Sequence, residues 1–459
     1  MDVNSGGWFD RVLAQSRGGG LRARLIRAGL GSAGVQALNR VVALATGVVL
    51  ARGLGAEGYG IYAYAFAIMS LLMVAAVAGV PTLLMREVAA AHGQQRWGLL
   101  RGALIRAGQL VLLASASVSV VGLLMLWGMA DRLSTAQLYT TLLMLLVLPL
   151  AALVKTIASA MRGLHRVVVG QTVGTLLRPL LVLVGIGSLF LLAPALREPQ
   201  YAMAAQLAAA GVVLFVGGWM LSRYLPVGSR TEPVEYQSRQ WLRSALSFTL
   251  IGGAGIINNQ ADIIMLGWFG SAADVGIYRV AVQGATLVAF GLQAANAVIA
   301  PQFARLHAQG DMEKLQRLVT ASARVVLLAA LPLALAFVFM GGTIVGWVFG
   351  AEYTGSQTPL AILALGQLTV ATLGLTGPLV SMAGFERVVS RALWLSALLN
   401  IGLNLFLIPI FGVTGAAVST AITVSLWHGF LFVFAKKEMK IIVFPFNPLI
   451  RSKAANESR

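Results

Sequence analysis

Apolar residues run along this chain in long unbroken blocks, separated by short stretches where arginine, glycine and proline collect. A helix needs about 20 mostly apolar residues, rising about 1.5 Å each, to cross the hydrocarbon of a bilayer. Blocks of that length lie near 30–52, 60–80, 107–129, 136–160, 167–193, 201–222, 246–269, 275–300, 322–349, 358–383, 388–410 and 412–435. The division between the last two rests on length: residues 392–435 carry no charge, exceed a single crossing, and are punctuated near their middle by Pro409, Gly412 and Gly415. The pattern predicts an all-α polytopic membrane protein with twelve transmembrane helices.

Within this pattern a signature repeats. Tyr59-Gly60-Ile61-Tyr62, inside the stretch Gly53 to Tyr64, returns as Val275-Gly276-Ile277-Tyr278, and Met161-x-Gly163-x-x-Arg166-Val167-Val168 returns as Met382-x-Gly384-x-x-Arg387-Val388-Val389. The chain therefore reads as two six-helix repeats. Each crosses an even number of times, so the two share one orientation and are parallel. The expected organisation is an N-terminal segment 1–29, a first lobe 30–222, a linker 223–245 with Pro226, Gly228 and Pro233, a second lobe 246–435 and a tail 436–459. The polar segments 86–106 and 302–324 hold equivalent places in the two repeats and are expected to be surface helices.

Composition agrees: 58% of residues are hydrophobic and 11% charged, where soluble domains carry about 25% charged residues. The net charge of +18 calls for no nucleic-acid partner, because the cations lie in clusters between the blocks. With the N-terminus in the cytoplasm, 27 of the 34 Lys and Arg residues fall on the cytoplasmic side, at 11–27, 86–106, 162–166, 223–243, 305–324, 387–391 and from Lys436 onward. The positive-inside rule thus predicts a multi-pass membrane protein with both termini cytoplasmic. Residues 1–29 lack the pattern of a removable signal peptide. The absence of cysteine rules out disulfides and thiolate chemistry. No Gly-rich nucleotide loop occurs, and His92, His165, His307 and His428 lack metal-ligand spacing. The expectation is a protein that is no enzyme and has no cofactor or metal.

The stretch LARGLGAEGYGIYAYAFAIM followed by AGVPTLLMREVA resembles the polysaccharide-export flippases, the Wzx-like branch of the superfamily that includes the multidrug and toxic compound extrusion proteins. The resemblance extends over the whole chain. It implies a V-shaped, two-lobed transporter around a central cavity. It implies alternating access that carries an undecaprenyl-pyrophosphate-linked oligosaccharide across the bacterial inner membrane, in a pathway that makes a surface polysaccharide such as lipopolysaccharide or exopolysaccharide. Glycosyltransferases and a polysaccharide polymerase are the implied protein partners, membrane lipid surrounds it, and a monomer is expected.

Ionisable groups inside the spans carry the chemistry, since each costs about 2.5 to 3.5 kcal/mol at a helix centre unless it faces a wet cavity or a partner. Arg40, Arg178 and Lys155 are the cations and the candidate pyrophosphate ligands, arginine offering paired donors and lysine a point charge. The structural alternatives are that Lys155 snorkels to the interface and that Arg178, before Pro179, bonds freed backbone carbonyls. In span seven Asn258, Asn259 and Asp262 share a helical face and are candidates for a coupling sodium ion or proton; Asp262 could equally be the counter-ion of a first-lobe arginine or of Arg279 at the outer edge of span eight. Asn400 and Asn404 line one face of span eleven, as sugar ligands or interhelical glue. Tyr59, Tyr62 and Tyr64 are expected in an interfacial aromatic belt. The alternative function is a cation-coupled multidrug exporter, disfavoured because such a cavity should carry carboxylates. A glycosyltransferase or polymerase is disfavoured by the short outer loops.

Reporter fusions at Gly228 and at Ala351 should show opposite sidedness; the same sidedness at both would break the twelve-span topology.

Overall fold

The computed structural model describes residues 21–445. Among them every regular element is helical, with no strand. The first, α1 (Leu21–Val77), has 57 residues and is kinked at Gly55 (φ 68°, ψ 178°). A straight helix of that length would be more than twice as long as a bilayer core of about 30 Å, and glycine alone adopts that backbone region readily. The expected first and second spans are the two arms of α1. Next come α2 (Val80–Gly93), α3 (Trp97–Gly128), α4 (Thr135–Gly163), α5 (Val167–Leu192) and α6 (Pro199–Tyr224). Ser134 and Gln137 start α4 with a reciprocal capping box.

The second half contains α7 (Ser238–Phe269), α8 (Ala272–Val288), α9 (Phe290–Ala308) and α10 (Met312–Val348). It continues with α11 (Gln357–Leu373), α12 (Thr376–Met382) and α13 (Glu386–Glu438). A second kink, at Gly412 (φ 55°, ψ −129°), divides α13 where the apolar run was split by length. Among the described residues seven helices are long and apolar enough to cross a membrane, or eight if the bent pair Ala351–Leu373 and Thr376–Met382 is one span.

The packing is that of a bundle in lipid. Small side chains such as Ala51, Ala76, Ala152 and Ala160 are fully buried, whereas Trp127, Phe215 and Trp347 stand about four-fifths exposed. Without a hydrophobic force between helices, close packing of small residues holds them together. Where the two halves meet, α1 packs against α7 and α8. At this seam the two copies of the repeated signature touch. A Cβ on Gly60 would lie 1.7 Å from the Ala272 carbonyl oxygen, and one on Gly276 would lie 2.2 Å from that of Ala56. The repeated glycine is there because backbone meets backbone.

One expectation is corrected. Segment 86–106 is no separate surface helix: its first part ends α2 and its remainder begins α3, while 302–324 is divided between α9 and α10. The joint between the halves is docked on the first half. Glu235 donates its backbone N–H to Gly98 O at 3.1 Å, Glu232 accepts the Gly98 N–H at 3.0 Å, and Arg96 pairs with Glu235 at 2.6 Å. The tail also packs. Gln316 of α10 clamps Ile442, accepting its N–H at 2.8 Å and donating to its carbonyl at 2.7 Å, with Ile441 and Val443 buried beside it. Of the expected terminal segments, 1–20 and 446–459 lie outside the described residues.

Replacing Gly60 with Val should destabilise the protein by about 2 kcal/mol or more, because backbone atoms would have to move. Thermal unfolding in detergent should show a clear fall for Gly60→Val. Gly108→Ala should be neutral or stabilising, since nothing lies within 4 Å of its added carbon.

Candidate functional site

Four helices turn stripes of residues spaced three and four apart toward one cavity of about 250 Å³ at the seam. The first arm of α1 presents Thr46, Gly47 and Leu50, and the second presents Tyr59, Tyr62 and Phe66. From α5 come Thr175, Arg178 and Val182, and from α8 of the other half come Arg279 and Gln283; α6 adds Gln206. Just before Arg178, α5 widens into a π-turn over Thr172–Leu176, a local rearrangement that recurs at functional sites.

Two guanidiniums, one from each half, therefore share the cavity, and none of the residues lining it is acidic. Arg178 donates through Nε to Gln206 Oε1 at 2.9 Å, and Gln206 donates through Nε2 to the Tyr62 hydroxyl at 2.7 Å. This chain orients the guanidinium and uses only one edge of it. On the opposite wall Gln283 donates to the carbonyls of Ala43 and Leu44 at 3.1 and 3.3 Å and accepts from Tyr59 at 3.3 Å. Its amide occupies the space above Gly47, where any Cβ would lie 2.2 Å away. The arrangement can bind a compact anion through fixed donors.

The predicted cations are distributed differently. Arg178 lines the cavity. Arg40 is exposed and bonds Gln293 of α9 through Nη2, lying one turn of α1 beyond the lining residue Ala43. Lys155 is exposed on α4 and takes no part in the cavity. Tyr59 and Tyr62 are 3% and 6% exposed and form cavity wall, so they are no interfacial belt; Tyr64 is partly buried and packs on Gly267.

A second polar cluster lies within the other half. Asp262, 4% exposed, accepts from the Tyr278 hydroxyl at 2.7 Å, from Asn404 Nδ2 at 2.7 Å and from the Thr420 hydroxyl. Asn404 Nδ2 also reaches Asn400 Oδ1 at 3.0 Å, and Asn400 donates onward to Thr423 at 3.4 Å. The two amides of α13 thus turn to the buried carboxylate, away from the central cavity. Asn258 donates instead to the carbonyls of Ala254 and Leu393, and Asn259, exposed, to that of Gly255. The bonds described for Asp262 come from neutral donors, so no arginine is its counter-ion among the described residues. Asn404 Oδ1 is buried there without a partner among the described residues.

The two clusters occupy related places, for Tyr62 and Tyr278 are the same position of the repeated signature. One tyrosine leads to an arginine and the other to an aspartate. Sequence reasoning did not single out Gln206, Gln283 or Thr420, and it considered Arg279 only as a counter-ion of Asp262. Arg279 fell at the edge of an apolar block, yet its adjacency to the second signature was a usable signal; the others are polar residues at helical spacing with nothing local to distinguish them.

The comparisons with known proteins follow the same lines. Residues 27–307 match the family described as polysaccharide biosynthesis protein. The probable low-salt glycan biosynthesis flippase Agl15 of Haloferax volcanii is 24% identical over 215 residues, 47% of this chain and 45% of that protein. The chain thus spans less than half the length of that relative. An inward-facing multidrug resistance MATE family transporter of the MOP superfamily superposes with a TM-score of 0.70 at 14% identity, over 88% of this chain and 94% of that one. The lipid II flippase MurJ in an inward closed conformation gives 0.67 at 12% identity, over 88% and 87%. These likenesses are of fold. The family match covers more than half of the sequence, and the chain, a multi-pass membrane protein, belongs to the polysaccharide biosynthesis protein family.

Proposed function

We propose that this protein is a flippase that moves an undecaprenyl-pyrophosphate-linked oligosaccharide across the bacterial inner membrane by alternating access, with both termini in the cytoplasm. The observation that supports this most directly is the cavity at the seam, with Arg178 and Arg279 and no acidic lining residue. Two guanidiniums from opposite halves suit a pyrophosphate, whose oxygens take paired N–H donors. Arg40, one turn away, is placed to meet the anion at the mouth of the cavity. The volume is small beside the roughly 300–1,000 Å³ of ordinary ligand sites, so it accommodates the pyrophosphate and an adjoining sugar, with Gln206, Gln283 and the tyrosines as sugar partners. The polyprenyl tail stays in lipid. The name of the Haloferax volcanii relative, a probable low-salt glycan biosynthesis flippase, supports the flippase part of this reading. A cation-exporting drug transporter is the poorer reading because the charges lining the cavity are positive.

Asp262 with Asn404, Thr420 and Tyr278 is the proposed coupling site. Its oxygens suit a proton or a sodium ion, and the unpartnered Asn404 Oδ1 supplies an additional acceptor. Asn400 supports Asn404 there and no longer serves as a sugar ligand in this proposal, and Lys155 is left out of the binding step. The protein acts as a monomer, between glycosyltransferases that build the lipid-linked unit and a polymerase that consumes it.

In a flippase-deleted strain, Arg178→Gln and Arg279→Gln should each lower polysaccharide export by about ten- to a hundredfold, the loss of one charge-assisted bond network. Lys at either position should be intermediate, since it keeps the charge without the fork of donors. Normal membrane levels and full export for both Gln variants would sink the cationic-cavity reading. For Asp262→Asn the expected result is transport that no longer responds to the sodium or proton gradient. An unchanged rate with unchanged gradient dependence would remove Asp262 from coupling.

A further inference from the structure

The stretch around Gly55 carries a set of contacts that the cavity does not use. Here the first arm of α1 ends and the second begins, leaving carbonyls without partners on one side and amides without partners on the other. The second half fills both. Glu352, in the short 3-10 segment Ala351–Ser356 before α11, accepts the Ala56 N–H at 3.0 Å. Tyr353, 1% exposed, donates its hydroxyl to Ala51 O at 3.0 Å. In return Arg52 donates to the last carbonyls of α10, to Val348 O at 2.8 Å and to Trp347 O. A carboxylate thus sits at a helix N-terminus and a guanidinium at a helix C-terminus, the favourable sense for both helix dipoles.

The repeat explains why these contacts cross between the halves. In the second copy α8 caps itself: the Ser271 hydroxyl accepts the Asp274 N–H at 3.2 Å, and Asp274 accepts the Ser271 N–H at 2.9 Å. The matching positions of the first copy are Gly55 and Gly58, which have no side chain to cap with. The missing cap is supplied by Glu352 of the other half, whose carboxylate lies 3.1 Å from where a Cβ of Gly55 would be. Beneath it the Tyr353 ring packs edge-on against Tyr59, with centroids 6.4 Å apart, and Tyr59 is cavity wall.

We propose that Arg52, Glu352 and Tyr353 form a latch that closes the central cavity at the end of the bundle away from the basic clusters. Each bond joins one half to the other, so that end cannot open while they persist. Resting on the flippase reading, the latch is the gate through which cargo leaves; as a closure between halves it stands without that reading.

The chain has no cysteine, so spin labels can be attached at Glu57→Cys and Thr354→Cys, both exposed and on opposite sides of the seam, in protein reconstituted into lipid nanodiscs without cargo. The unaltered latch should give one short distance by pulsed electron resonance. Glu352→Ala, Arg52→Ala and Tyr353→Phe should each raise a longer-distance population about fivefold or more, the effect of losing one hydrogen bond of ordinary strength. Tyr353→Phe removes only a hydroxyl, so it decides the matter even if another variant folds poorly. A single unchanged distance in all three would overturn the latch. Because no cargo is added, the result is independent of what the cavity carries.

Discussion

The structure depends on one close approach, the crossing of α1 and α8 at Gly60 and Gly276, where each glycine lies against a backbone carbonyl of the other half. No side chain separates the helices there. The residues on either side of the crossing are consequently brought to a common centre: Tyr59 and Tyr62 from one copy of the signature, Arg279 and Gln283 from just beyond the other. In lipid, where helices gain little by hiding apolar surface from one another, such contact between small residues is the available source of association. The cavity is the gap left where the helices diverge from it.

That gap has an unusual electrostatic character. Two guanidiniums line it without a carboxylate, although each would cost about 2.5 to 3.5 kcal/mol if left facing lipid. Arginine does not escape by losing its proton. The carboxylate that could neutralise one of them, Asp262, is held away by Tyr278, Asn404 and Thr420. Opposite charges inside the bundle are therefore kept in separate clusters, which leaves the arginines available to water or to an anion from outside.

Much of the fold was legible in the sequence because it is written in local patterns. Runs of apolar residues located the helices, and Gly412 divided a run too long for one crossing. The repeated tyrosine and glycine signature revealed the duplication. What could not be read were partnerships made across long separations. Asn404 meets Asp262 across 142 positions, and no pattern near either residue distinguishes that contact from a sugar site on the same helical face. Hydropathy windows also misjudged the ends of helices, since polar segments expected to be separate surface helices instead supply the first turns of α3 and α10. That error set Arg279 at the edge of its apolar block, although it lies two turns inside α8. It also put Tyr59 and Tyr62 at an interface, though the crossing buries them.

The unequal pair formed by Tyr62 with Arg178 and Tyr278 with Asp262 bears on how such a molecule could have arisen. If two identical chains had once met at the same glycine crossing, two-fold symmetry would have obliged both to present the same residue at each of these places. A cation on one side would then have meant a cation on the other, and an acid likewise. Because the two copies are separate stretches of sequence, each can carry a different group at the matching place, an arginine partner in one half and a buried acid in the other. Independent encoding of the two halves, and not merely their pairing, is what makes a difference between the two tyrosine clusters available to selection.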